Sequence, residues 1–244
     1  MSSPTTLARH PERALLRMGA ASTMLGMLLG FAAGVFHGGG AQPNDLQATL
    51  PEYAANTVWE LVHLVQFVAD IFLLVGFFAL YRSIAVTREG VSPALARLGI
   101  VVAVAAEGIY GVNQAVDIAN KFTAQQWVSA PLADQANALR IAEAVRHIEI
   151  GTSSVWTLTS GIALLFFGLA IALGHDYPRP LGWAAIVLSV VQVANSVELA
   201  RNGFVLSPLS IASVLLAPWA LILAVLLWRK AERGGAAALG VIGS

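Results

Sequence analysis

The fold class predicted for this sequence is all-α: a polytopic membrane bundle of six transmembrane helices with both termini in the cytoplasm. Three observations carry that prediction. Of 244 residues, 57% are hydrophobic and only 11% charged, where soluble domains carry roughly 25% charged residues; the mean hydropathy is +0.72. The apolar residues gather into six runs, each near the ~20 residues that cross a bilayer. Alternating strand patterns are missing, which argues against a β-barrel, and backbone inside lipid must then satisfy its own hydrogen bonds as helix. The 14 Lys+Arg balance the 14 Asp+Glu, so no net field recruits polyanions such as nucleic acid. Cysteine is absent, which removes disulfides, thiolate metal sites and cysteine nucleophiles.

The spans run Met18–Phe36, Trp59–Tyr81, Leu95–Val116, Ile150–Leu173, Leu181–Leu199 and Leu209–Trp228. The membrane domain is therefore 18–228, between a cytoplasmic segment 1–17 and a cytoplasmic tail 229–244. Orientation follows from basic residues. With the N-terminus inside, Arg9, Arg13, Arg17, Arg82, Arg88, Arg97, Arg179, Arg229, Lys230 and Arg233 are cytoplasmic. Lys121, Arg140, Arg146 and Arg201 are outside. Ten against four satisfies the positive-inside rule and predicts a multi-pass protein of the inner (plasma) membrane.

The first span has a 19-residue apolar stretch, longer than the roughly 7–15 residues of a signal-peptide core, so a retained helix is expected. Gly26, Gly30 and Gly34 form a small-residue ridge on it. Such ridges let membrane helices approach closely, here against another helix of the chain or a second copy. The Gly38–Gly40 run reads as a flexible hinge, and His37 as a flanking residue with no special role. The stretch 133–149 is amphipathic; it either lies on the outer interface, prolongs the fourth span outward, or merely links the spans. Pro218 is expected to bend the sixth span.

Hairpins two–three and four–five read as a possible internal repeat. The run from Asp70 to Leu80 resembles that from Gly161 to Ile171. Each is followed by a Pro-containing turn and a Leu-Gly pair (Leu98-Gly99, Leu181-Gly182), then Val116-Asp117-Ile118-Ala119 or Val197-Glu198-Leu199-Ala200. A true repeat makes Asp117 and Glu198 equivalent carboxylates across a central axis.

Ionisable groups at membrane depth cost roughly 2.5–3.5 kcal/mol or more and usually face a cavity or a partner. Span two carries Glu60, His63, Gln66 and Asp70; span three carries Glu107, Tyr110, Gln114 and Asp117; span five carries Gln192, Asn195 and Glu198. Steps of three and four keep each set largely on one helical face. Glu143, His147 and Glu149 precede or open span four. Their matching heights predict an outward-opening polar pocket formed by Glu60, His63, Asp70, Glu107, Tyr110, Gln114, Asp117, His147, Asn195 and Glu198. The alternative is that the outer carboxylates snorkel to water or pair with Arg140, Arg146 and Arg201. Glu60-x-x-His63 and Glu143-x-x-x-His147 are spaced as helix-borne metal ligands, a pattern that suits Zn, Fe or Mn; two histidines on different helices are also a haem ligand set.

The segment Trp59-Glu60-Leu61-Val62-His63 leading through Asp70 to Ala79-Leu80-Tyr81, with Pro180-Leu181-Gly182-Trp183 opening span five, resembles a broad group of uncharacterised bacterial six-span membrane proteins. The resemblance covers roughly residues 15–230 and implies the fold without a reaction. Three functions are consistent with the residues. The pocket binds a cation, proton or small amphiphile, with or without carrying it across, and Asp70 and Glu107 exchange protons; or it is a membrane enzyme working by metal or acid–base chemistry on a lipid-like substrate; or the chain is a non-catalytic accessory subunit.

Overall fold

A computed structural model describes residues 9–85 and 89–240. Arg88, residues 1–8 and residues 241–244 lie outside the described residues. The described residues are mostly helical, with no strand among them: α1 Arg9–Phe36, α2 Leu46–Ala55, α3 Trp59–Ala85, α4 Val91–Ser129, α5 Gln135–Leu173, α6 Arg179–Asn202, α7 Pro208–Ser213 and α8 Leu216–Gly240. Six candidate spans are long and apolar enough to cross a membrane, the last of them running through α7 and α8. The chain is accordingly a multi-pass membrane protein. Its outward faces carry Phe31, Leu61, Val101, Val155, Val187 and Ile222, side chains that lipid, not water, can cover.

Around the bundle the order is α1, α3, α4, α5, α6, α8, with α8 returning to α1 and touching α6 and α3 only slightly. Small residues set the close contacts. The first-span glycine ridge packs within the chain: a Cβ at Gly26 would lie 2.6 Å from the Ala69 carbonyl oxygen of α3. Gly30 faces Ala69 more loosely, and Gly34 faces open space. At the α5–α6 crossing a Cβ at Gly182 would meet the Ala172 nitrogen at 2.5 Å and the Gly168 oxygen at 2.7 Å, an approach no side chain permits.

The two ends of the bundle differ. The end that holds the start of α1 and the close of α8 is solidly packed, with Phe167, Leu80, Ile84, Ile171 and Leu227 in its core. Two polar clamps finish it. The Ser83 and Tyr177 hydroxyls meet at 2.6 Å, and Lys230 donates to Asp176 at 3.0 Å and to the Ser83 carbonyl at 3.2 Å. Burial pushes the Tyr177 phenol up from its ordinary range, so it serves as a neutral hydroxyl.

At the other end, α4 and α5 run on past the expected spans. Each has 39 residues, about 58 Å at ~1.5 Å per residue against a hydrocarbon core of about 30 Å. The amphipathic stretch 133–149 thus prolongs the fourth span as continuous helix from Gln135 on. Short α2, N-capped by Asp45, lies on the extension and builds a second small core from Leu50, Tyr53, Trp59, Ala124 and Ala142. This cap end holds the polar residues. The sixth span is interrupted between α7 and α8 at Val214–Leu215. Pro218 is the physical reason: its nitrogen cannot donate to the Val214 carbonyl, and its ring crowds that oxygen.

Candidate functional site

The cap end does not fill. A hollow of about 870 Å³ opens between α3, α4, α5 and α6, within the range of small-molecule sites. Two loops, 37–45 and 203–207, help to enclose it. The Glu52 carboxylate of α2 accepts from the Gly40 and Ala41 backbone N–H groups at 3.2 and 3.1 Å. Asn44 joins the loops: its Nδ2 donates to the Asn202 carbonyl and its Oδ1 accepts from the Phe204 N–H, both at 2.9 Å. The crossing needs glycine at position 203, where φ is +68° and a Cβ would lie 2.5 Å from Asn44 Oδ1. The Gly38–Gly40 run read as a hinge is therefore fastened over the hollow, and His37 lines it.

Arg146 holds this end together. It is 6% exposed. Nη1 donates to Glu149 Oε2 at 2.6 Å and Nη2 to the Pro43 carbonyl at 2.6 Å. Its guanidinium lies 4.6 Å from the Phe204 ring centre, a cation–π distance. Glu149 also accepts from Asn120 Nδ2 at 2.5 Å, and its carboxyl reaches that of Asp117. Asp117 accepts from Asn113 Nδ2 at 3.0 Å, and Asn113 Oδ1 accepts from Thr152 and Ser153 at 2.7 and 2.8 Å. Burial pushes the Tyr53 phenol up, with Arg146 opposing, so Tyr53 too is a neutral hydroxyl.

Aromatic rings form much of the wall. Trp59 packs against Tyr53 at 4.3 Å and His63 at 4.4 Å, and His37 lies 5.1 Å from His63. The Trp59 indole donates to the Asp117 carbonyl at 2.7 Å, joining α3 to α4. His63 Nδ1 is 2.7 Å from the Trp59 carbonyl, and its Nε2 is 4.0 Å from Asp117.

Of the residues expected in one pocket, His63, Tyr110, Gln114, Asp117, Asn195 and Glu198 line the hollow. Glu198 accepts a short hydrogen bond from Ser207. Asp70 and Glu107 lie deeper, in a second cavity of about 360 Å³ with mostly apolar walls, which Gln192 also lines. Their carboxyl groups come within hydrogen-bonding reach of each other. Trp156 lines both cavities and stacks on Tyr110 at 4.4 Å, so this ring pair forms part of the layer between them. Gln66 and Tyr110 border the hollow one turn from Asp70 and Glu107.

The remaining expected residues stand apart. Glu60 lines neither cavity and pairs with Lys121 at 2.7 Å. His147 is exposed and Glu143 half-buried, and neither lines a cavity. The reason is angular. Arg146, Glu149 and Ser153 share the inner face of α5, and a residue next to Arg146 is turned about 100° from it. The expected ligand set Glu60, His63, Glu143 and His147 is thus not brought together. Among the described residues no three His, Asp or Glu side chains are placed to hold a metal ion.

Sequence reasoning missed Asn113, Ser153 and His37 as lining residues, and offered Arg146 only as a partner for an outer carboxylate, the pairing it makes with Glu149. The spacings Asn113–Asp117 and Arg146–Glu149–Ser153 were the available signal. Protein families, curated proteins and solved structures give no match to this chain.

Proposed function

We propose that the hollow binds a small amphiphilic cation at the cap end of the bundle, and that the Asp70–Glu107 pair beneath it exchanges the proton that accompanies the ligand's movement. One observation carries the reading. Among the described residues the hollow is lined by four carboxyl groups, Glu52, Asp117, Glu149 and Glu198, and by one guanidinium, Arg146, on an aromatic wall. Four carboxyl groups against one guanidinium make that wall acidic. Aromatic faces attract cations, and a cavity with low-dielectric walls of one sign concentrates counter-ions. The second cavity supports the proton step: two carboxyls in mutual reach inside apolar walls hold a proton that a ligand or a movement can displace.

The finer topology belongs to the same proposal. Ten basic residues against four support cytoplasmic termini in a bacterial inner membrane, an orientation in which the cap end is extracytoplasmic. Asp117 and Glu198 are then the paired carboxylates of two related hairpins.

The chain has no cysteine, so an introduced thiol is unique. In Ser153→Cys, a water-soluble maleimide is expected to modify the hollow. Phenethylamine is expected to slow that modification at least fivefold, and phenethyl alcohol to leave it unchanged. Equal protection by amine and alcohol contradicts a cation site.

A further inference from the structure

Two buried polar atoms on the wall of the hollow have no partner. Gln114 is 5% and Arg146 6% exposed, and both line the cavity. Gln114 Oε1 accepts nothing, although its side chain meets the Tyr110 hydroxyl, and Arg146 Nε–H donates to nothing, although both other guanidinium nitrogens are engaged. Buried polar groups are nearly always paired, and an exception calls for an explanation. Here one exception is an acceptor and the other a donor, on neighbouring helices α4 and α5. A metal ion or a bare proton satisfies Gln114 at most. A simple amine likewise leaves the guanidinium N–H idle. A carboxylate or phosphate alone meets Arg146 but adds negative charge to a wall that already bears Glu52, Asp117, Glu149 and Glu198.

We infer that the ligand of the hollow is an ammonium zwitterion with an apolar body, whose anionic oxygen accepts from Arg146 Nε–H and whose ammonium group donates to Gln114 Oε1. This rests on reading the hollow as a cation site and adds the second recognition element. The zwitterion adds no net charge to the acidic wall, and its body meets aromatic surface at Trp59, Tyr110 and Trp156. Two sources share this chemistry: a free amphiphilic amino acid, and a lipid headgroup of the ethanolamine type. A choline headgroup has no N–H and cannot satisfy Gln114.

The test uses the full-length protein in nanodiscs. L-Phenylalanine, phenethylamine and 3-phenylpropanoate are compared by isothermal titration calorimetry. In parallel, thermal unfolding is compared between phosphatidylethanolamine and phosphatidylcholine discs. Phenylalanine binding at least tenfold tighter than either single-charge analogue supports the free zwitterion. A higher Tm in ethanolamine than in choline discs, with phenylalanine silent, supports the lipid source. Phenethylamine binding as tightly as phenylalanine, with equal Tm in both lipids, overturns the inference and leaves the cation site standing. No binding by any probe, with no lipid effect, overturns both. Gln114→Met separates recognition from folding. It removes an unpaired buried oxygen together with one contact to the Tyr110 hydroxyl, so its Tm in choline discs should stay close to the parent's, while zwitterion binding should fall at least tenfold or the ethanolamine-over-choline Tm difference should vanish. Undiminished recognition in that variant contradicts the assignment.

Discussion

The two ends of this bundle are built from the same helices by opposite means. At the terminal end, α3, α5, α6 and α8 meet through Leu80, Phe167, Ile171 and Leu227, all essentially inaccessible, and glycines such as Gly182 let backbones touch. At the cap end α4, α5 and α6 present Asp117, Arg146, Glu149 and Glu198 around a hollow of about 870 Å³. Packing energy therefore comes from the apolar end, where removing a filler costs cavity energy. The cap end depends on a few charge-assisted hydrogen bonds, which are costly to break singly. A protein that needed only to span the membrane would have no use for the second arrangement.

The largest expected effect breaks the cap network. Arg146→Ala leaves Glu149 buried beside Asp117 without its cation and should cost about 3–5 kcal/mol, read as thermal unfolding in detergent. Pairing Arg146→Met with Glu149→Leu should recover much of that loss, because an apolar pair of similar volume is often neutral. A double variant as unstable as the single one would mean that the Pro43 and Phe204 contacts, not the ion pair, hold the cap. At the other end, Phe167→Ala should cost a comparable 3–5 kcal/mol through its cavity while leaving ligand binding nearly intact. Loss of binding there would erase the distinction between the ends.

A smaller stability effect, about 1–3 kcal/mol, is expected for Gly182→Ala, since its new methyl meets backbone and must overpack the crossing. Smallest in stability and largest in function are Asp70→Asn and Glu107→Gln. Each should fold normally and abolish the dependence of uptake on a proton gradient in proteoliposomes. Uptake unchanged in both variants would confine the deep pair to a structural role.

Much of this molecule was legible in its sequence because lipid is a severe solvent. A span must be apolar along its whole length, so the six runs announce themselves, and the starts of α1, α3, α4, α5 and α6 differ from the reading only where a helix continues beyond the hydrocarbon; the short α2, inside an outer connection, was not anticipated. The outward extension of α4 was not legible: residues 117–129 include Asp117, Asn120 and Lys121, which read as loop by polarity alone, yet they form helix because α2 and α5 pack there. The heights of the polar residues were legible; their rotation was not. Arg146 and His147 are adjacent and both polar, yet one is the centre of the cap and the other faces outward. Only the tertiary contacts with Pro43 and Phe204 decide which. Glu60 shows the same limit, since its partner Lys121 lies 61 positions away.

The central claim is that the cap-end hollow is reached by water while the helices around it face lipid. Paired single-cysteine variants of α5 test it directly: Ser153→Cys, on the hollow wall, and Val155→Cys, on the outer face. A membrane-impermeant maleimide applied to intact cells should modify Ser153→Cys rapidly and Val155→Cys at least tenfold more slowly. Equal rates at the two positions, or labelling of Val155→Cys alone, would contradict the account.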